Sequence, residues 1–350
     1  MYKVSFQMPI YNAERFVERA LLSALNQTFS SIEYLIIDDK GSDGSMEIVR
    51  KIVSQHPRGK DVRIIEHEKN EGIGATRNAA LDLATGKYLF FMDDDDEIAS
   101  DCIEILYNKM QEHPVDVVIP SFVYRSLDDK ISSTHRYPDI IIEGEVFPIA
   151  FYRYVKENDI FVAGWNRLYN LEFLRNNNIR CVPDHLNEDC WFTYQVILKA
   201  TSVCLLSNIT LYYTINPDSV CGNNQKRGYS QRICEQYVDI ERRKTDYIGE
   251  LKSTELYPAL VFDIIFMSFY YAYKFMDSQQ ITNDQKIKYV RQILSNRFPF
   301  SLKLKQDKVY FKYLLFRTVY SLPLTVKVFV IQTLVRIKGI SIVRKWINFK

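Results

Sequence analysis

Apolar positions across residues 1–120 fall into two alternating patterns. Short runs, VSFQM, YLIID, VRIIE, KYLFFM and VDVVIP, are apolar at successive positions, as strands covered on both faces are. Between them apolar residues recur at helical spacing: Phe16, Ala20, Leu21, Ala24 and Leu25, then Ile48, Ile52 and Val53, then Ala79, Ala80 and Leu83. This alternation predicts an α/β domain of parallel strands joined by right-handed crossovers. Residues 125–145 are polar and poorly periodic and are expected to form a loop. A second strand–helix mixture ends in SVCLLSNITLYYTI, and beyond Asn223 only helical patterns remain, among them LVFDIIFMSFYYAYKFM at 260–276. The expected division is an α/β domain over 1–220, in halves of about 1–115 and 116–220, followed by a helical C-terminal region over 221–350.

In open α/β sheets, ligands bind beyond the carboxyl ends of the strands. Three strand ends here carry polar chemistry: MPIYN after the first, IIDDKGSDGS after the second, and Asp93–Asp96 after KYLFFM. Each has an ordinary structural reading. Tyr11-Asn12 suits a turn, Ser42 or Asp43 suits a helix cap, and acids ahead of the helix beginning near Ser100 favour its dipole. Four adjacent aspartates exceed that last need, because each raises the cost of ionising the next. Mg²⁺ or Mn²⁺ is held by one or two carboxylates together with phosphate oxygens of a substrate. The cluster therefore reads as half of a metal site that a nucleoside diphosphate completes.

Composition changes the picture in two places. The chain is 47% hydrophobic and 25% charged, as ordinary globular proteins are. Its net charge of +2 conceals an asymmetry: from Ser301 onward eleven Lys/Arg face a single acid, Asp307. The segment 321–350 mixes Leu, Val, Ile, Phe and Trp with six Lys/Arg and no acid, the composition of a helix lying in a membrane interface. Its high aliphatic content argues against nucleic acid as the partner. The six cysteines occur singly, without CxxC spacing, and are expected to be reduced thiols rather than zinc ligands. No leader is expected, since VSFQMPI starts almost at Met1. No membrane span is expected either: Leu324–Ile337 is short and contains Lys327 and Arg336, and 260–276 contains Asp263 and Lys274.

VSFQMPIYNAERFVERALLSALNQTF, YLIIDDKGSDGS, NEGIGATRNAAL and GKYLFFMDDDDEI resemble, in order and spacing, the family 2 glycosyltransferases. The likeness is dense over 1–115 and thinner to about 215. It implies the GT-A nucleotide-diphospho-sugar transferase fold, with a Rossmann-like mixed sheet. By resemblance, Pro9, Tyr11 and Glu14 line the nucleoside pocket, Asp39 reads the base (usually uracil), and Arg77 lies near the nucleoside. Asp93-Asp94-Asp95 matches the family's DxD, with Asp95 on the metal and Asp93 on the ribose or a metal-bound water. Two positions depart from the pattern: Lys40 stands for the usual glycine, and Asp94 for a frequent serine.

The segment GWNRLYNLEFLRNNNIRCVPDHLNED resembles the stretch leading to the family's catalytic base. That alignment makes Asp189 the base and Glu188 a supporting or acceptor-binding acid. Read from the pair alone, the two acids are better explained as stabilising a helix N-terminus. Trp165 suits either stacking on an acceptor sugar or a place in the core, and His185 reads as structural. The resemblance implies an inverting, divalent-metal-dependent transferase with a UDP-sugar donor. The glycan acceptor is expected to be lipid-linked, at the cytoplasmic face of the plasma membrane, in cell-surface polysaccharide synthesis. A nucleotidyltransferase of related fold would need a basic phosphate-binding loop after the first strand, which MPIYNAE lacks. A nucleotide-sugar-binding protein without turnover is the rival from another class. Donor sugar, linkage and oligomeric state are not readable from the residues.

Overall fold

The computed structural model describes residues 2–144, 163–216, 219, 227–296, 298 and 316–337. The 338–350 part of the basic tail, Cys221 and part of the expected 116–220 half lie outside the described residues. The chain separates into two compact units, residues 1–216 and 217–350.

The first unit is built on a ten-stranded mixed sheet. Its strands are β1 (Val4–Ile10), β2 (Ile32–Asp38), β3 (Val62–Glu66), β4 (Tyr88–Phe91), β5 (Glu97–Ile98), β6 (Val117–Ser126), β7 (Ile131–His135), β8 (Ile140–Glu143), β9 (Leu168–Asn170) and β10 (Ser202–Ile215). Their order is β3-β2-β1-β4-β9-β6-β10-β5, with β7 on β6 and β8 on β10. β1, β2, β3 and β4 run parallel, whereas β9 pairs antiparallel with both β4 and β6. The helices of this unit are α1 (Val17–Leu25), α2 (Ser45–Gln55), α3 (Ile73–Leu83), α4 (Cys102–Glu112), α5 (Leu171–Asn176) and α6 (Glu188–Lys199).

Every residue of β1 and β2 is buried, which is why their sequences read as continuous apolar runs. Val4, Phe6, Met8 and Ile10 share one core with Val17, Ala20, Leu21, Ala24 and Leu25, the apolar stripe of α1. Residues 125–145, expected as a loop, carry β7 and β8. Their residues are mostly exposed, so burial leaves no alternation to read; pairing with the edges of β6 and β10 makes them strands.

Glu33 is an acid inside β2, 2% exposed. Its Oε1 accepts from Ser5 Oγ at 2.5 Å, Thr85 N at 2.6 Å, Thr85 Oγ1 at 2.8 Å and Gly86 N at 3.2 Å. Burial by itself raises the Glu33 carboxyl, but these donors outweigh it and hold the group below its ordinary value. Glu33→Ala is expected to destabilise the unit by about 1–3 kcal/mol, since the buried Ser5 hydroxyl loses its acceptor and Thr85 and Gly86 lose hydrogen bonds. The wild-type advantage is present above ~4.3, the value of an unfolded glutamate, and disappears as pH falls through the lower folded value. Urea unfolding of both proteins across that range checks it; equal midpoints at neutral pH would refute it.

The second unit contains α7 (Gln231–Ile248), α8 (Tyr257–Asp277), α9 (Asn283–Ile293) and α10 (Leu324–Arg336). Ser230 caps α7, and Thr282 with Gln285 forms a capping box at α9. By length and composition α8 could cross a membrane, although it carries Asp263 and Lys274. Of its apolar window, 61% is buried inside the protein, as in the core helix of a folded unit. The five described cysteines are free thiols.

Candidate active site

The chain steps from β1 to β2 and β3 on one side and returns to β4 on the other, so the topological switch lies between β1 and β4. At that crevice the backbone N–H of Tyr11 donates to Asp94 Oδ2 at 2.9 Å. Pro9 is buried within β1 opposite Ile37, and the Tyr11 side chain stands 49% exposed. The loops after β1 and β2 are tied together. Asn12, at φ +53°, accepts from Ser42 N at 2.7 Å, Glu14 N donates to Asp43 at 3.0 Å, and Glu14 Oε2 accepts from Gly44 N at 3.3 Å. Asp43 also accepts from Ser45 N at 3.1 Å ahead of α2. Gly41 permits the approach, because a Cβ there would lie 2.8 Å from Asn12 N.

Asp39, the expected base reader, is 2% exposed and accepts four hydrogen bonds from the loop before α3. Oδ1 takes His67 Nδ1 at 2.8 Å and Glu71 N at 2.9 Å; Oδ2 takes Asn70 Nδ2 at 3.1 Å and Gly72 N at 2.9 Å. That accounts for about four lone-pair sites, the capacity of a carboxylate. A base N–H would have to replace one donor, and the exposed Asn70 amide is the easiest to displace. Lys40, at φ +56°, does not extend freely into the crevice. Its ammonium is held by Glu66 at 2.7 Å and Asp38 at 3.3 Å.

The four aspartates have separate fates. Asp93 Oδ1 accepts from Arg77 at 2.9 Å, Asp94 from Tyr11 N, and the fully buried Asp96 from Thr214 N at 2.8 Å. The Asp95 carboxylate meets no other donor group among the described residues beyond its own backbone N–H. Burial and the charge of Asp93 push the Asp95 carboxyl up to about 7. Burial and the Asp95 charge likewise raise Asp94 and Asp96. A bound cation would relieve that arrangement. Asp95, with the second oxygen of Asp93, fits a hard divalent ion bound by one or two carboxylates plus phosphate. Among the described residues no cluster of three or more His, Cys, Asp or Glu forms a cage, so the remaining ligands would be phosphate and water.

Arg77 joins this cluster to the second candidate pair. The side chain is 2% exposed, and its guanidinium donates from one nitrogen to Asp93 and from the other to Glu188. Burial works against its charge, but Glu188 and Asp93 raise its pKa above the ordinary value. Sequence reading placed Arg77 beside the nucleoside; the structure makes it the link between the DxD-like aspartates and the acids at the start of α6.

One face of α3 holds the chain that delivers those acids. A Cβ on Gly74 would come 2.2 Å from the Val182 carbonyl oxygen, so only glycine lets segment 182–188 pass so closely. One turn on, Arg77 takes Glu188, and Asn78 pairs with both backbone groups of Cys181, at 2.9 and 3.0 Å. Arg175 then donates to the Leu81 and Ala84 carbonyls at the end of the helix. Glu188 is 3% exposed and Asp189 half-buried. Burial raises both carboxyls despite the pull of Arg77, and the backbone N–H and thiol of Cys190 hold Asp189.

Trp165, one of whose expected roles was stacking on an acceptor sugar, is a core residue. It is 7% exposed, stacked on Tyr213 at 5.5 Å and nearly perpendicular to Phe122 at 5.1 Å, so its rings serve the core. Sequence reasoning missed Gly74, Asn78 and Thr214. The first two stand in the quoted GIGATRN, where two glycines beside Arg-Asn were the available signal.

The model of glycosyl transferase family 2 matches residues 5–177. The cholesterol galactosyltransferase of Borreliella burgdorferi is 30% identical over 61% of this chain and 60% of its own. The poly(ribitol-phosphate) beta-glucosyltransferase of Bacillus spizizenii is 29% identical over 62% of this chain and 33% of its own. The chain thus matches less than two thirds of the length of these relatives. The crystal structure of S. aureus TarS 1–349 in complex with UDP-GlcNAc superposes with a TM-score of 0.59 at 17% identity, covering 96% of this chain and 91% of that one. That likeness extends to the mixed sheet and the helical C-terminal region and shows a shared GT-A fold. Residues 5–177, which hold the switch-point loops, the four aspartates and Arg77, are the part of the chain that matches glycosyl transferase family 2.

Proposed function

We propose that this protein is an inverting glycosyltransferase, moving a sugar from a UDP-linked donor to a hydroxyl of a glycan acceptor. The observation that carries the reading is the Arg77 bridge. One buried cation fixes Asp93, at the donor edge, and Glu188, beside Asp189, in a single network. A protein that only bound a nucleotide sugar would have no need of a second carboxylate pair held at the same site. UDP as the nucleotide is supported by the TarS complexes with UDP-GlcNAc and UDP.

In this reading the loop of Tyr11 and the Asp39 network receive the nucleoside. Asp95 and Asp93 would hold Mn²⁺ or Mg²⁺, which when bound neutralises charge on the departing diphosphate. Asp189 accepts the proton of the acceptor hydroxyl as its oxygen attacks the anomeric carbon from the face opposite the diphosphate. Cys190 orients Asp189 through its backbone N–H and thiol. The raised pKa brings this base nearer the working pH, where general-base catalysis is more effective. Glu188, held by Arg77, positions the start of α6 and offers an acid beside the acceptor.

We place the acceptor on a lipid-linked glycan in cell-surface polysaccharide synthesis, with the protein peripheral on the cytoplasmic face of the membrane. Relatives named for a sterol and for poly(ribitol phosphate) support a bacterial envelope glycan. Incubation with UDP-glucose, UDP-galactose and UDP-GlcNAc, plus Mn²⁺ and a panel of short glycan acceptors, tests the activity. An elongated product of inverted anomeric configuration is expected from one donor. Tight UDP binding with no product from any combination would favour the non-catalytic binding protein.

A further inference from the structure

Helix α10 buries Val328 and Ile331, as a helix packed on its unit should, but it buries a lysine with them and leaves a second apolar stripe exposed. Such a helix turns its apolar stripe inward and its lysines outward. Here Lys327 is 5% exposed, its ammonium donating to the Leu294 carbonyl and lying 4.3 Å from the Tyr320 ring centroid. Phe329, two residues on, is 64% exposed. Leu322, Val326 and Ile337 are exposed with it, and their spacing places all four on one side of the helix and its flanking turns. Among the described residues of 217–350, these are the only exposed large apolar side chains.

The sequence that flanks α10 along the chain is strongly basic. From Lys308 to Lys350 there are nine Lys/Arg and no acid, and Arg336 stands exposed beside Ile337. A second copy of the chain docking here by two-fold symmetry would set basic sequence against its own copy. An anionic lipid surface offers both an apolar layer for Phe329 and negative head groups for the flanking cations.

We propose that the exposed stripe of α10 is the membrane-docking face of the protein, with Phe329 at its centre entering the head-group boundary of an anionic bilayer. This deepens the peripheral-membrane part of the function proposed above and rests on that part alone. Lys327, by contrast, belongs to the inward face and contributes nothing to lipid attraction, so the stripe, and not the lysine of the helix, sets the contact.

Co-sedimentation of the full chain with phosphatidylglycerol-containing vesicles and with phosphatidylcholine vesicles tests the proposal. Binding to the anionic vesicles, weakened by salt, is expected, with Phe329→Ser combined with Val326→Ser lowering the partition about tenfold or more. Both side chains are already exposed, so the variant should fold as wild type, and UDP binding by the same samples should be unchanged. Unaltered partition of the variant, or no binding of wild type to anionic vesicles, overturns the proposal. So does a wild-type dimer, seen by ultracentrifugation, that the variant dissolves. UDP binding reports separately on the donor site, so its absence in the wild type would count against the transferase reading and not against this face.

Discussion

Asp189→Asn is expected to lower sugar transfer by about 100- to 10,000-fold while UDP binding persists, because it removes proton acceptance and little else. Amide and carboxylate are nearly isosteric, and Asp189 is only half-buried at the first turn of α6, so folding should survive. The pH dependence gives a second readout. Burial raises the Asp189 carboxyl, and the Arg77 charge only partly offsets it. A general base works when unprotonated, so kcat/KM falls by about tenfold per pH unit below its pKa. The raised pKa therefore places that acid limb above the ~4 of a free aspartate, and activity is lost on acidification earlier than for an exposed base. In Asp189→Asn the limb should vanish along with the rate. A variant that retains most of the wild-type rate would transfer the role of base to another group, Glu188 first.

Arg77→Met is expected to destabilise the first unit by about 3–5 kcal/mol and to abolish transfer. Removing one partner of a buried ion pair leaves the other charge uncompensated. Here two carboxylates lose the same cation: Glu188, nearly as buried as the arginine, and Asp93, with its side chain 23% exposed. Arg77→Lys should rescue little, because a single ammonium does not present two forked nitrogens to two acids in different directions. Glu188→Gln added to Arg77→Met should recover part of the stability, since it removes one stranded charge. Urea unfolding of the three variants measures this. Equal stability of wild type and Arg77→Met would show that the bridge does not hold the two carboxylate groups together.

The sequence made the parallel half of the sheet legible because β1, β2 and β4 are covered on both faces and carry that burial in every residue. β7 and β8 left no such trace: their residues face water, and only the edges of β6 and β10 make them strands. In the site, the residue types at the strand ends were readable, but not their partners. Asp93, Asp94 and Asp96 look alike in the chain, and Arg77, Tyr11 and Thr214, from three distant places, separate them from Asp95. Trp165 was undecidable for a similar reason, since Phe122 and Tyr213 reach it only through the fold. Lys327 shows the limit of composition: a basic, apolar segment suggested membrane contact, but burial reverses which of its residues make it.

The most direct test of the donor site is calorimetric binding of UDP to wild type and Asp95→Asn, each with Mn²⁺ and with EDTA. Wild-type binding that requires Mn²⁺ and is lost in the variant is the predicted result. Binding of equal strength in EDTA, or in Asp95→Asn with Mn²⁺, would contradict the assignment of Asp95 as the carboxylate that awaits a cation.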